Sequence, residues 1–198
     1  MNIAIIGATG RFGTELTVKL LSKPDYQLTL ISKSAEKIFE DSYRVVAKSI
    51  DATNQKELRK ALEKQDLVIC AVSGVDQPVI ARNLAEIGVK RLIYLNVVGI
   101  YNELEKGNGD EFNVENESEQ IPNRNAAAII EESDLDYTIL RLGYLVYTDD
   151  KEFAITRKGE TPKGYVTNVR PVEDIIFEII ASPEKYSRED IAITRDMS

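Results

Sequence analysis

The 198-residue chain has no histidine, no tryptophan and a single cysteine. Without histidine it lacks the side chain that most often serves as a general base near neutral pH, and the commonest metal ligand. One cysteine, Cys70, allows no disulfide within the chain and no thiolate zinc site. It lies in the apolar run "DLVICAV" (66–72) and reads as a small buried hydrophobe. Long apolar runs are missing too: nothing approaches the ~20 residues of a membrane span. The first apolar run is short, has no basic lead and ends in glycines, so neither a signal peptide nor a membrane segment is predicted, and a cytoplasmic protein is expected. Positive charge is scarce, with 25 Lys and Arg against 33 Asp and Glu, a net charge of −8. With no basic stripe to offset this, nucleic acid is not an expected partner. Glu131–Glu132, Asp134–Asp136 and Asp149–Asp150 read as solvated faces, and no spacing suggests a metal cage.

What the chain does have is alternation. Strand-length apolar runs at 2–6, 27–31, 44–50, 66–72, 91–97 and 136–142 alternate with helical patterns at 11–22, 54–64, 76–87 and 122–133. Gly88 is placed to cap the third of these helices. The tail adds an extended piece, a helix over 171–181 opened by Pro171, and a strand near 190–194. This order predicts βαβ units, a mainly parallel sheet and helices on both faces. It also predicts one domain over 1–198, with a small C-terminal part at about 143–198 on the substrate side. Residues 102–120, "NELEKGNGDEFNVENESEQ", break the rhythm with seven acids and one lysine. They are read as a loop near the site, because long loops in compact domains are often functional.

The first strand runs into "GATGRFG" (7–13) and then into a helix. A helix N-terminus offers unpaired N–H groups and a partial positive charge, which hold a pyrophosphate if no side chain intervenes. Gly7 permits the turn, Gly10 lets the backbone approach the phosphates, and Gly13 lets the helix pack on the strand. Directly after the first strand of an alternating chain, the spacing predicts a dinucleotide site.

The segment resembles the GxxGxxG fingerprint of the extended and atypical short-chain dehydrogenase/reductases. The nearest likeness is to NmrA-like, NAD(P)H-binding members, which include flavin- and biliverdin-reductase-like proteins. "SIDATN", "AVSG", "LDYTILRLGYL" and "VRPVEDIIFEII" resemble later family segments, so the likeness spans nearly the whole chain. It implies an α/β fold with a Rossmann-type doubly wound sheet. It also implies cofactor contacts from Gly7, Thr9, Gly10, Arg11, Phe12 and Gly13, and from Asp51 and Ala52 near the adenine. Further contacts are implied from Ala71, Val72, Ser73 and Gly74 beside the ribose, and from Asn96, Leu142 and Gly143. The second strand ends in Ser32, Lys33 and Ser34, where an NAD-binding carboxylate would stand. A hydroxyl and an ammonium there, with Arg11 in the turn, favour NADP(H), NAD(H) being the alternative.

Catalytic relatives carry a Ser–Tyr–Lys set that protonates the substrate carbonyl. Here Asn96 and Val97 replace the serines, and Asn123, Arg124 and Asn125 stand where the tyrosine and lysine belong. Tyr147 to Lys151 spell YxxxK, but after the sixth strand, outside the expected nicotinamide site. Two readings follow. One is an NADPH-dependent reductase of conjugated acceptors such as flavins or quinones, whose protein supplies orientation and exclusion of water. The other is a non-catalytic dinucleotide sensor with a protein partner. Asn96 and Tyr101 are the candidates for contact with a small-molecule substrate, and Tyr101 and Tyr144 for stacking on it. A monomer or a homodimer is expected.

Overall fold

The computed structural model describes residues 1–195. Its main sheet has eight strands in the order β3-β2-β1-β4-β5-β6-β10-β8. These are β1 (Asn2–Ile6), β2 (Gln27–Ser32), β3 (Val45–Ser49), β4 (Leu67–Cys70), β5 (Leu92–Val97), β6 (Tyr137–Leu142), β8 (Ala154–Arg157) and β10 (Glu189–Thr194). Every pairing is parallel except that of β8 on β10, which is antiparallel. The helices are α1 (Arg11–Leu21), α2 (Ala35–Ile38), α3 (Gln55–Leu62), α4 (Gln77–Ile87), α5 (Ile121–Glu131) and α6 (Val169–Ala181). The α/β doubly wound sheet expected from the alternation is therefore present.

Residue alternation along β1 divides the core. Ile3 and Ile5 face α1 and α6, where Leu16, Leu20, Ile175, Ile176 and Ile179 pack on them. Ala4 and Ile6 face α3, α4 and α5 through Leu58, Ile80, Leu84, Ala126 and Ile130. Each fully buried Leu or Ile contributes about 2 kcal/mol. Both faces of the central strands are covered, so these strands read as unbroken apolar runs. The strand order reverses between β1 and β4, and the crevice beyond their C-terminal ends is where doubly wound sheets bind ligands.

Three features were not legible beforehand. The short α2 follows β2 directly. β7 (Tyr144–Val146) and β9 (Val166–Asn168) form a second, two-stranded parallel sheet. α6 starts at Val169 rather than at Pro171, with Asn168 as its N-cap residue. Proline is tolerated within the first turn because its missing N–H would have no intrahelical partner there.

The acidic segment 102–120 is a packed structure. Leu104 and Val114 are buried, and 3-10 turns form over Asp110–Phe112 and Ser118–Gln120. Asn113 ties the segment to itself. Its Oδ1 accepts from the Leu104 N–H at 3.0 Å and its Nδ2 donates to the Leu104 carbonyl at 2.9 Å. Glu103 accepts from the N–H groups of Gly99 and Tyr101 at 2.9 and 2.8 Å and pairs with Arg141. Arg141 is fully buried and also pairs with the buried Asp190.

Candidate functional site

The turn after β1 has the shape of a phosphate cradle. Gly7 has φ +86°, and a Cβ there would lie 2.7 Å from the Ala71 carbonyl oxygen at the end of β4. A Cβ on Gly13 would come within 2.3 Å of the Gly7 oxygen, so only glycine lets α1 start this close to the strand. Gly10 is the N-cap residue and is extended (φ −68°, ψ 162°). No side chain caps the helix and no acid occupies its first turn. The free N–H groups and the positive end of α1 are thus open to an anion. Phe12 is 7% exposed and packs in the core, which leaves its backbone as the part available to a ligand.

Beside this turn is a cavity of about 340 Å³. Gly7, Thr9, Ser32, Lys33, Asp51, Ala52, Val72 and Ser73 line it, together with Asp76. Eight of the sequence-predicted nucleotide residues thus share one cavity; Gly10, Phe12 and Gly13 stand in the glycine turn and the start of α1 without lining it, Leu142 and Gly143 line a second cavity, and Asn96 lines neither. Ala71 lies behind Gly7 in the turn, and Gly74 is exposed just past Ser73. Arg11 points elsewhere: its guanidinium lies 3.7 Å over the Tyr147 ring, not beside Lys33. Asp76 was not expected. It and Asp51 reach Lys33 Nζ at 3.8 and 3.0 Å, so the one lysine at this place is held between two carboxylates. The Asp51 carboxyl is pulled down to about 2, first by the Thr53 backbone N–H, then by the Thr53 hydroxyl and Lys33.

A second cavity, of about 190 Å³, lies beyond the ends of β5 and β6. Val97, Val98, Leu142 and Gly143 form its floor, and Tyr144 and Tyr165 its sides. The acidic segment supplies Phe112 and Gln120. The Phe112 and Tyr165 rings are 5.7 Å apart. Among the described residues no carboxylate, lysine, arginine or thiol lines this cavity. Phe112, Gln120 and Tyr165 were missed in sequence because they come from loops. The available signal was Phe112, one of three apolar residues with Leu104 and Val114 in a largely polar run.

Neither catalytic candidate opens into this cavity. Asn96 is 3% exposed; its Nδ2 donates to the Asn123 carbonyl at 2.9 Å and its Oδ1 accepts from the Val97 N–H at 2.8 Å. It joins β5 to α5, with both ends of its amide used. Tyr101 donates its hydroxyl to Asp190 at 2.9 Å and packs against the α5 side of the core. Burial and the neighbouring Asp190 push its phenol well up, which does not suit an acid that must give up a proton. Tyr147 lies on the opposite side of the sheet from both, against α1. Among the described residues no cluster of His, Cys, Asp and Glu could hold a metal.

A family profile described as NAD(P)H-binding matches residues 7–183. The chain belongs to this NAD(P)H-binding family. The fold is shared with a short-chain dehydrogenase/reductase from Veillonella parvula solved in complex with NADP (TM-score 0.86, 24% identity, covering 99% of this chain and 95% of that one). A Rossmann-fold NAD(P)-binding family protein from Shigella flexneri is 28% identical with a TM-score of 0.82, over 100% of this chain and 94% of that one. ChuY from Escherichia coli O157:H7, an anaerobillin reductase, is 17% identical with a TM-score of 0.81, over 100% and 98%. No curated protein matches the chain by sequence. Family membership and these structural neighbours agree with the resemblance drawn from "GATGRFG", and no helix among the described residues is long and apolar enough to cross a membrane.

Proposed function

We propose that this protein is an NADP(H)-dependent oxidoreductase that reduces a conjugated acceptor such as a quinone or flavin. The observation that carries the reading is the contrast between two cavities past the C-terminal ends of one sheet. One is polar and beside an uncapped helix N-terminus; the other is apolar and aromatic-walled. The glycine turn fits a pyrophosphate, and Lys33 with Ser32 fits a 2′-phosphate. Ser73 lines the first cavity and Val97 and Leu142 the second, and a nicotinamide reaching from one to the other would lie against them. When bound, the reduced cofactor supplies the two electrons. The chain's own residues orient the ring, exclude water and hold the acceptor against Val98, Leu142 and Tyr165.

The absence of a Ser–Tyr–Lys set bears on the acceptor. A simple ketone needs a placed acid as charge reaches its oxygen. A quinone spreads that charge over its ring and takes its proton from solvent. The cavity's small size fits the reacting ring of a flat acceptor, with the remainder outside. The test is NADPH oxidation followed across quinones, flavins, ketones and aldehydes. Turnover confined to the conjugated acceptors is expected, and robust ketone reduction would overturn the reading. Tight NADPH binding with no turnover on any acceptor would favour the cofactor-sensing alternative.

A further inference from the structure

The apolar cavity holds a single side-chain amide, that of Gln120. Its orientation is set from behind. Asn96 fixes the first turn of α5 by donating to the Asn123 carbonyl at 2.9 Å. Asn123 Nδ2 in turn donates to Gln120 Oε1 at 2.5 Å. The oxygen end of the Gln120 amide is thereby occupied by α5, and among the described residues the NH₂ end, with its two donors, has no hydrogen-bond partner. Gln120 sits in the turn Ser118–Gln120 that closes the acidic segment, and it lines the cavity together with Val97 and Val98.

We propose that the Gln120 amide is the hydrogen-bond donor for a carbonyl oxygen of a planar conjugated acceptor, and that Asn123 and Asn96 position it. The proposal rests on the oxidoreductase reading and adds to it the group that recognises the acceptor. A free amide donor in an apolar cavity discriminates strongly for a ligand that can accept, because an acceptor-free ligand leaves the donor unpaired. The same bond strengthens as the oxygen gains charge, without Gln120 giving up a proton. Asn96 thus influences the site through α5 while touching neither ligand.

The test compares 1,4-naphthoquinone with naphthalene, which has the same flat shape and no acceptor oxygen. Binding of each is titrated to wild type, Gln120→Leu, Gln120→Glu and Gln120→Asn, in the presence and absence of NADP⁺. Cys70, the one thiol, is buried and so does not compete for the quinone. Gln120→Leu should weaken the quinone about three- to tenfold and change naphthalene by less than about twofold. Gln120→Glu, which faces the carbonyl with an acceptor, should weaken the quinone more. Gln120→Asn keeps the amide but falls one carbon short, and should also lose affinity. kcat/KM for the quinone should fall at least as far as affinity does, while NADPH affinity and melting temperature stay put. Equal losses for both ligands, or no loss for the quinone, would overturn the proposal, as would a wild type that does not bind the quinone. A wild type that binds the quinone but not NADPH would instead overturn the oxidoreductase reading.

Discussion

The two cavities differ in how the chain makes them. The polar one is built from strand ends and the turns directly after them, Gly7–Gly13, Ser32–Lys33 and Asp51–Ala52, with Val72, Ser73 and Asp76 closing it. Its geometry follows from β-strand register and from glycine sterics. The apolar one is assembled from the acidic segment, the turn after β6 and the approach to β9. Its geometry depends on how a buried charge network holds a loop. The polar cleft, proposed for the dinucleotide, is a property of the fold, while the apolar one, proposed for the acceptor, is a property of this particular sequence.

The largest expected effect breaks the second cavity and spares the first. Glu103 is 8% exposed and holds Gly99, Tyr101 and Arg141 at once. Glu103→Ala would leave Arg141 buried with Asp190 alone and two N–H groups unpaired. Breaking a buried pair in this way costs about 3–5 kcal/mol. Urea unfolding should show that loss. At low temperature the surviving folded protein should keep its NADPH affinity and lose affinity for acceptors.

The converse substitution is Gly10→Val. A Cβ at Gly10 would lie 3.2 Å from the Gly7 oxygen, and the branch beyond it would stand over the helix N-terminus. Losing two charge-assisted bonds to the pyrophosphate costs about 3 kcal/mol or more, roughly a hundredfold in affinity. Calorimetric titration with NADPH should show this, with a melting temperature near that of wild type because Gly10 is exposed. Gly13→Val is the contrasting control: its Cβ would meet backbone at 2.3 Å, so it should unfold the protein rather than merely clear the site.

Smaller effects sharpen the polar cavity itself. Lys33→Ala should weaken NADPH about tenfold and leave NADH nearly unchanged. Asp76→Asn should act in the opposite direction, since it frees Lys33 for a 2′-phosphate. The pair is solvent-exposed, so the gain should be no more than about fivefold. Because Asp51 is lowered to about 2, its charge and its contact with Lys33 are present above the ordinary carboxylate range and lost only as pH falls through about 2. Between pH 5 and 8 the Asp51–Lys33 contact does not titrate. Any loss of NADPH preference on acidification below about pH 6 should therefore come from protonation of the 2′-phosphate. Fluorescence titrations of both cofactors across this range decide the point.

The sheet and the polar cavity were legible because their signals are local. An apolar run, a glycine triplet and the residues just past a strand lie within a few positions of one another. Lys33 was legible as a cation at the discriminating place, but its partner Asp76 was not, since nothing in sequence brings the start of α4 to the end of β2. Arg11 was placed with Lys33 by motif, yet it stacks on Tyr147, a ring that follows β7 far along the chain. Asn96 and Tyr101 were sound as positions near the sheet's C-terminal edge. Their side chains are taken up by Asn123 and Asp190, partners fixed only when α5 and β10 dock. Phe112, Gln120 and Tyr165 gave no periodic signal, because a wall made of turns has no period.

The smallest expected effect concerns the displaced YxxxK string. Tyr147 packs against the α1 and α6 side of the core, its ring beneath the Arg11 guanidinium. Its hydroxyl is shielded from solvent and, beyond the Arg11 guanidinium beside it, has no hydrogen-bond partner among the described residues. Burial raises its phenol, with the Arg11 charge opposing. A shielded hydroxyl with no partner beyond Arg11 gains little from its bonding and loses its hydration, so Tyr147→Phe should be close to neutral. The ring remains to hold Arg11, so NADPH affinity should shift by less than about twofold. Turnover with quinones should likewise be unchanged, because neither cavity that carries the proposed reaction includes this residue. Melting temperature and NADPH oxidation measured on the one variant test both halves. A large loss of turnover with intact folding would move the working acid to Tyr147 and dissolve the division between a polar cleft for the nucleotide and an apolar one for the acceptor.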